Sequence, residues 1–304
     1  MKSTYIVLTL TLLAFFSCKE AEEKSDELNV VTTTTMITDL VKNIGGDRVR
    51  VQGLMGAGVD PHLYKASEGD VSKLYNADII FYNGLHLEGK LVDVFEKMQS
   101  PTKTMVALAE ELDKGGLIGS DYFASNYDPH VWFDIEYFKS FARKVSSVLS
   151  EKDPENASYY QENLTRYLGE LDVLQQEIRA AIDSLPVEKR ILVTAHDAFN
   201  YFGKAYEFEV VGLQGLSTAT EAGVQDVQRL SEFIIEKQVK AIFVESSVPR
   251  RTIEALQEAV RSKGNQVQIG GSLYSDALGN RGTDEGTYLG MFRYNVNTIV
   301  SALK

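Results

Sequence analysis

From Leu28 onward, short apolar and β-branched runs alternate with segments whose apolar residues recur every three or four positions. The runs predict strands over 28–34, 49–55, 77–83 and 103–108, and again over 191–195, 209–213, 241–245 and 266–269. Nearly continuous apolar strands of this kind suit parallel sheets covered on both faces. Helical periods fall at 36–44, 87–98, 224–237 and 251–263, with a last helix over 286–303. The stretch 111–128, rich in Gly, Ser and Asp, reads as a loop.

One stretch breaks the alternation. Ala157, Tyr160, Leu164, Tyr167, Leu171, Leu174, Ile178, Ile182 and Leu185 keep helical spacing without a turn signal until Pro186. Asp153 is placed to cap such a helix, Pro154 suits its first position and Glu155 its positive end. Uninterrupted, it would run about 45–50 Å, which suits a strut between lobes. The predicted fold is α/β: two lobes, each a mainly parallel sheet flanked by helices, joined by one long rigid backbone helix. The expected lobes are 28–152 and 186–304, with the helix over 153–185. Their similar layouts suggest a pseudo-twofold pair.

Residues 1–18 are expected to lie outside the fold. Lys2 precedes an apolar stretch, Tyr5 to Phe16, that is too short to span a bilayer and has the layout of a secretory signal. It ends at Ser17-Cys18, and Cys18 is the only cysteine. That arrangement resembles a bacterial lipoprotein cleavage site, at which Cys18 would be lipidated. The charged segment 19–27 then reads as a flexible tether, and the mature body has neither a disulfide nor a thiolate ligand to offer. Of 304 residues, 44% are hydrophobic and 24% charged, as in an ordinary globular chain. A net charge of −12 argues against nucleic acid as a partner.

Asp-Pro-His occurs twice, as Asp60-Pro61-His62 and Asp128-Pro129-His130, each followed by an apolar and then an aromatic residue. Proline fixes its own φ and pushes the preceding aspartate into an extended conformation, so each histidine leaves a stiff turn. His196 closes the run 191–195. Three of only four histidines thus stand at the edges of apolar segments. They suggest either convergence on one metal ion or two unrelated turns and a core histidine. Ligands of open α/β sheets bind beyond the carboxyl ends of the strands. Asp276 lies past the last strand, as a further candidate ligand or a turn aspartate. His86 is expected at a helix start near the cleft edge, with a weaker claim to contact a ligand. Glu245 ends a strand, where it could orient a liganding imidazole through its second nitrogen. Trp132 and Phe133 read as core. Gly56 and Gly58 lack the third glycine of a dinucleotide loop, and Asp60 would repel phosphate, which excludes nucleotide binding.

Taken in order, the segments 55–66, 82–90, 128–134, 192–199 and 271–279 resemble the zinc/manganese solute-binding proteins of ABC importers, above all their TroA-like branch. The resemblance implies two α/β lobes joined by a long helix with metal in the cleft. It implies His62 and His130 as ligands from the first lobe, and His196 and Asp276 as ligands from the second. It also implies an extracytoplasmic, lipid-anchored receptor, periplasmic or cell-surface, that presents Zn²⁺, or alternatively Mn²⁺, to a membrane permease without chemistry. A monomer is expected. Some manganese receptors of that family place a carboxylate where this chain has His196. The rival readings are a zinc-dependent hydrolase built on the same three histidines, and a metal-binding adhesin. No His-Glu-x-x-His helix supports the hydrolase.

Overall fold

The computed structural model describes residues 27–98, 103–120 and 123–304. Cys18, the signal segment and tether residues 19–26 lie outside that range. Among the described residues, eight strands form two four-stranded sheets, and every pairing within them is parallel. The first holds β1 (Leu28–Thr32), β2 (Val49–Gly53), β3 (Ile79–Tyr82) and β4 (Thr104–Ala107), in the order β2-β1-β3-β4. The second holds β5 (Ile191–His196), β6 (Glu209–Gln214), β7 (Ala241–Glu245) and β8 (Gln268–Leu273), in the order β6-β5-β7-β8. The two halves therefore share one strand order, as the pseudo-twofold expectation requires.

All eight expected strands are present, but the last is displaced. The sequence reading ends it before Gly270-Gly271, whereas β8 runs through both glycines to Leu273. Pairing with β7 passes from Ile242↔Ile269 to Phe243↔Gly271, so Gly270 is the extra residue of a bulge. A Cβ on Gly270 would sit 2.7 Å from the Ala302 methyl and 2.8 Å from the Phe243 ring, so the bulge needs glycine.

The helices are α1 (Thr35–Gly45), α2 (Glu68–Asn76), α3 (Val92–Met98), α4 (Ile135–Lys152), α5 (Ala157–Asp183), α6 (Asn200–Tyr206), α7 (Val224–Glu236), α8 (Arg251–Ser262) and α9 (Tyr288–Leu303). The helix expected from residue 87 begins only at Val92, after a 3-10 turn over Gly89–Leu91. Leu85 and His86 have φ of 48° and 63°, a left-handed pair that turns the chain, so His86 is not at a helix start. The loop 111–128 contains a 3-10 turn, Lys114–Gly116, and an isolated bridge between Gly119 and Tyr127.

The long helix is shorter than the sequence pattern. A 3-10 turn, Pro154–Asn156, precedes α5, and Asp153 does not cap it. Its carboxylate instead accepts hydrogen bonds from the Asn156 amide and the Tyr160 hydroxyl. The remaining 27 residues extend about 40 Å. Their buried stripe, from Tyr160 to Ile182, packs on α1 and α4 from the first lobe and α9 from the second. One continuous apolar core consequently runs from Val30 and Leu40, through Tyr167 and Leu171, to Phe199, Phe243 and Phe292. Trp132 and Phe133 belong to it, as expected.

Candidate metal centre

His62 lies in the loop after β2, His130 opens a 3-10 turn (Val131–Phe133) ahead of α4, His196 is the last residue of β5, and Asp276 follows β8. Strand ends from both sheets thus meet across the cleft, as the open-sheet rule anticipates. The four side chains offer one ligand atom each, all within 4.8 Å of one another. His62 Nε2 stands 3.3 Å from His130 Nε2, and Asp276 carboxylate oxygens stand 3.2 Å from His196 Nε2, 3.6 Å from His130 Nε2 and 3.9 Å from His62 Nε2. A tetrahedron of donors at zinc bond lengths has edges of about 3.3 Å.

All four are buried: His130 and His196 are wholly enclosed, Asp276 is 1% exposed and His62 4%. Burial of so many polar groups is costly unless something satisfies them. Among the described residues, His196 Nε2 and both Asp276 oxygens have no hydrogen-bond partner, which fits donors aimed at a cation. The charges are tuned to one another. Burial drives the His62 pKa down to about 3, with the neighbouring imidazoles adding to the effect against Asp276. Burial also opposes charge on His196, but Glu245 and Asp276 outweigh it and hold that ring's pKa well above the usual histidine value. Against its own desolvation, Asp276 is held ionised, below the usual carboxylate range, by His196, His62 and His130.

Each histidine is braced from behind. Glu245 accepts the His196 backbone N–H at 2.9 Å through one oxygen, and its other oxygen lies 2.6 Å from His196 Nδ1. Asp128 meets His130 Nδ1 at 2.7 Å and accepts the His130 backbone N–H at 2.9 Å. Asp60 accepts the His62 backbone N–H at 2.8 Å. Glu245 stands where its strand-end position suggests a carboxylate behind an imidazole, whereas the two aspartates are signalled in the sequence only by their duplication. The Tyr82–Lys90 motif also has a supporting role. Buried Glu88 accepts hydrogen bonds from the Thr33 hydroxyl and from the Asn83 and Gly84 backbone, and the Asn83 amide donates to the Pro129 carbonyl beside His130. His86 is exposed and outside the cluster. Its ring meets Phe123, which in turn meets His62, so its expected contact with a ligand is replaced by an aromatic one.

The Asp276 loop is held from both sides. The Trp132 indole N–H donates to the Ser275 carbonyl at 3.1 Å, and the Leu278 N–H donates to the Thr35 hydroxyl at 2.8 Å. From the second lobe, Asn295 bonds both backbone groups of Tyr274.

Residues 30–302 match the family described as ZnuA, zinc-uptake complex component A, periplasmic. The chain belongs to the ZnuA family. Its relatives in the family include the manganese-binding lipoprotein MntA of Bacillus subtilis, 45% identical over 100% of this chain and 99% of that protein. The zinc-binding protein TroA of Treponema pallidum is 47% identical over 95% of this chain and 92% of that protein. The solved structure of that periplasmic TroA superposes with a TM-score of 0.89 at 48% identity, covering 91% of this chain and 99% of that one. The ZnuA family consists of solute-binding proteins, not enzymes, which sets the hydrolase reading aside. No helix among the described residues is long and apolar enough to cross a membrane.

Proposed function

We propose that this chain is an extracytoplasmic receptor that encloses one divalent transition-metal ion between its lobes and hands it to the membrane permease of an ABC importer. His62, His130, His196 and Asp276 are the ligands in this reading, and Glu245 and Asp128 orient two of the imidazoles. The observation that carries it is the convergence of four enclosed ligand atoms from two sheets within 4.8 Å. Zn²⁺ is favoured over Mn²⁺, because three imidazoles and one carboxylate suit an N-rich tetrahedral ion. The relatives divide between the two metals by name, so geometry and supply also decide. Lipidation of Cys18 would keep the receptor at the membrane surface, in keeping with a relative named as a lipoprotein. A monomer suffices, since one chain supplies all four ligands.

The decisive measurement is the metal content of protein purified without added metal, followed by Zn²⁺/Mn²⁺ competition. One equivalent of metal per chain, with Zn²⁺ displacing Mn²⁺, is the expected result. A protein that carries neither ion and binds neither would end the receptor reading, while preference for Mn²⁺ would overturn only the choice of metal.

A further inference from the structure

The two Asp-Pro-His aspartates divide their oxygens in the same way. Asp60 Oδ1 accepts the His62 N–H at 2.8 Å, and Oδ2 accepts the Thr218 hydroxyl at 2.5 Å. Asp128 Oδ1 accepts the His130 N–H at 2.9 Å, and Oδ2 accepts the Asn200 amide at 3.0 Å. One oxygen of each thus fixes its own histidine, and the other reaches the second lobe. Thr218 and Asn200 lie 158 and 72 residues further along the chain. A carboxylate that is bonded at both ends transmits the position of one partner to the other.

We infer that the paired aspartates are straps across the cleft, and that Thr218 is the positioning residue that sets how long bound metal is retained. The inference rests on the receptor reading above. Its second part follows from a difference between the straps. Asp128 is wholly buried, meets the His130 ring as well, and has its own carbonyl held by the Tyr201 hydroxyl at 3.1 Å. That strap has several supports. Asp60 is only half-buried and, with Thr218 and Leu63, lines a cavity of about 610 Å³ beside the site. Among the described residues no carboxylate backs the second nitrogen of His62, unlike those of His130 and His196. The loop before it is exposed at Gly56, Ala57 and Gly58, the last with φ of 70°. His62 therefore depends on Asp60, and Asp60 on Thr218. Hydrogen bonds to a charged group are the stronger kind, so loss of this one should be felt in the bound state.

The test loads the full chain with Zn²⁺ and follows its loss to excess chelator in the wild type, Thr218→Val, Thr218→Ala and Thr218→Ser. The valine and alanine variants should release Zn²⁺ about tenfold faster or more, since each lacks a charge-assisted hydrogen bond. Serine restores the hydroxyl and should return the rate to within about twofold of wild type. A role confined to packing would not be rescued by serine, which lacks the methyl group. Release by both the valine and alanine variants at the wild-type rate overturns the strap, as does an acceleration that serine leaves in place. A wild type that holds neither Zn²⁺ nor, loaded in its place, Mn²⁺ would instead remove the receptor reading, and the strap with it.

Discussion

Glu245 holds His196 twice, with one oxygen on the backbone N–H and the other 2.6 Å from ring Nδ1. The contact at Nδ1 leaves Nε2 facing Asp276. Replacing Glu245 by Gln keeps the shape but removes the charge that favours a basic, oriented imidazole. Metal affinity should fall by about 10–100-fold. Competition against a chromophoric chelator measures it, and an unchanged affinity would reduce Glu245 to a strand-end carboxylate.

His62→Ala, His130→Ala and His196→Ala each delete a donor and should weaken Zn²⁺ binding beyond the roughly 100-fold limit of supporting residues. His86→Ala, at an exposed position outside the cluster, should leave affinity within about twofold. Calorimetric titration of the four proteins orders them. Were His86→Ala the most damaging, the ligand set would be wrong.

Free imidazoles would each titrate near ~6.5, so three equivalent ligands would release up to about three protons. The site is not built that way. His62, at about 3, is already neutral at any working pH, whereas His196 keeps its proton well above the usual value. Metal binding near pH 7 should therefore release a proton from His196 and none from His62, so affinity should fall on acidification. Calorimetry in buffers of different ionisation enthalpy counts the proton; a count near three would contradict this asymmetry. The sign for folding is separate. A raised histidine pKa stabilises the metal-free fold fully below about 6.5, and this contribution is lost as pH rises through the folded value.

Asp39 reaches from α1 to the first N–H of α9, accepting from Tyr288 at 2.9 Å. Burial raises its pKa to about 6, against the Tyr288 hydrogen bond and nearby Lys42. The folded value lies above the unfolded one, so the fold loses stability as pH rises from about 4 to about 6 and carries the full cost above that. Asp39→Asn retains an acceptor for Tyr288 and should stabilise the protein by about 1–2 kcal/mol at pH 7.5, with no gain at pH 4. Urea unfolding at the two pH values decides; equal effects at both would exclude titration of Asp39.

Metal binding should tilt the lobes slightly, without wide closure. The Tyr288 hydroxyl donates to the Trp132 carbonyl and the Trp132 indole to Ser275, across an interface already joined by one core. Motion here resembles small shear between packed helices more than a hinge in a loop. Scattering from metal-free and metal-loaded protein should give nearly the same radius of gyration, and a clear decrease on loading would refute it.

Local pattern carried most of the architecture, because parallel strands buried on both faces and an amphipathic helix each leave a periodic trace. The ligands were legible for a different reason: histidine is scarce here and proline stiffens the turns that present it. What stayed hidden depends on docking. Nothing near Asp128 signals that Asn200 will meet it, and Thr35 does not announce its bond to Leu278. Two glycines in β8 read as lying past the strand because their function, room for Ala302 and Phe243 at Gly270 and for Thr298 at Gly271, comes from elements distant in sequence. Asp153 shows the converse: its capping signal was real, but the Asn156 and Tyr160 side chains took its carboxylate.

The stripe along α5 faces helices of both lobes at once, and this limits how such a receptor can be recombined. The matching strand orders invite chimeras that exchange one lobe with that of a relative preferring another metal. Such an exchange would cut through Tyr167, Leu171 and their neighbours, not through a linker. A viable chimera would need to carry α5 and α9 together with the imported lobe, so the repeated halves are a pair in topology without being interchangeable parts.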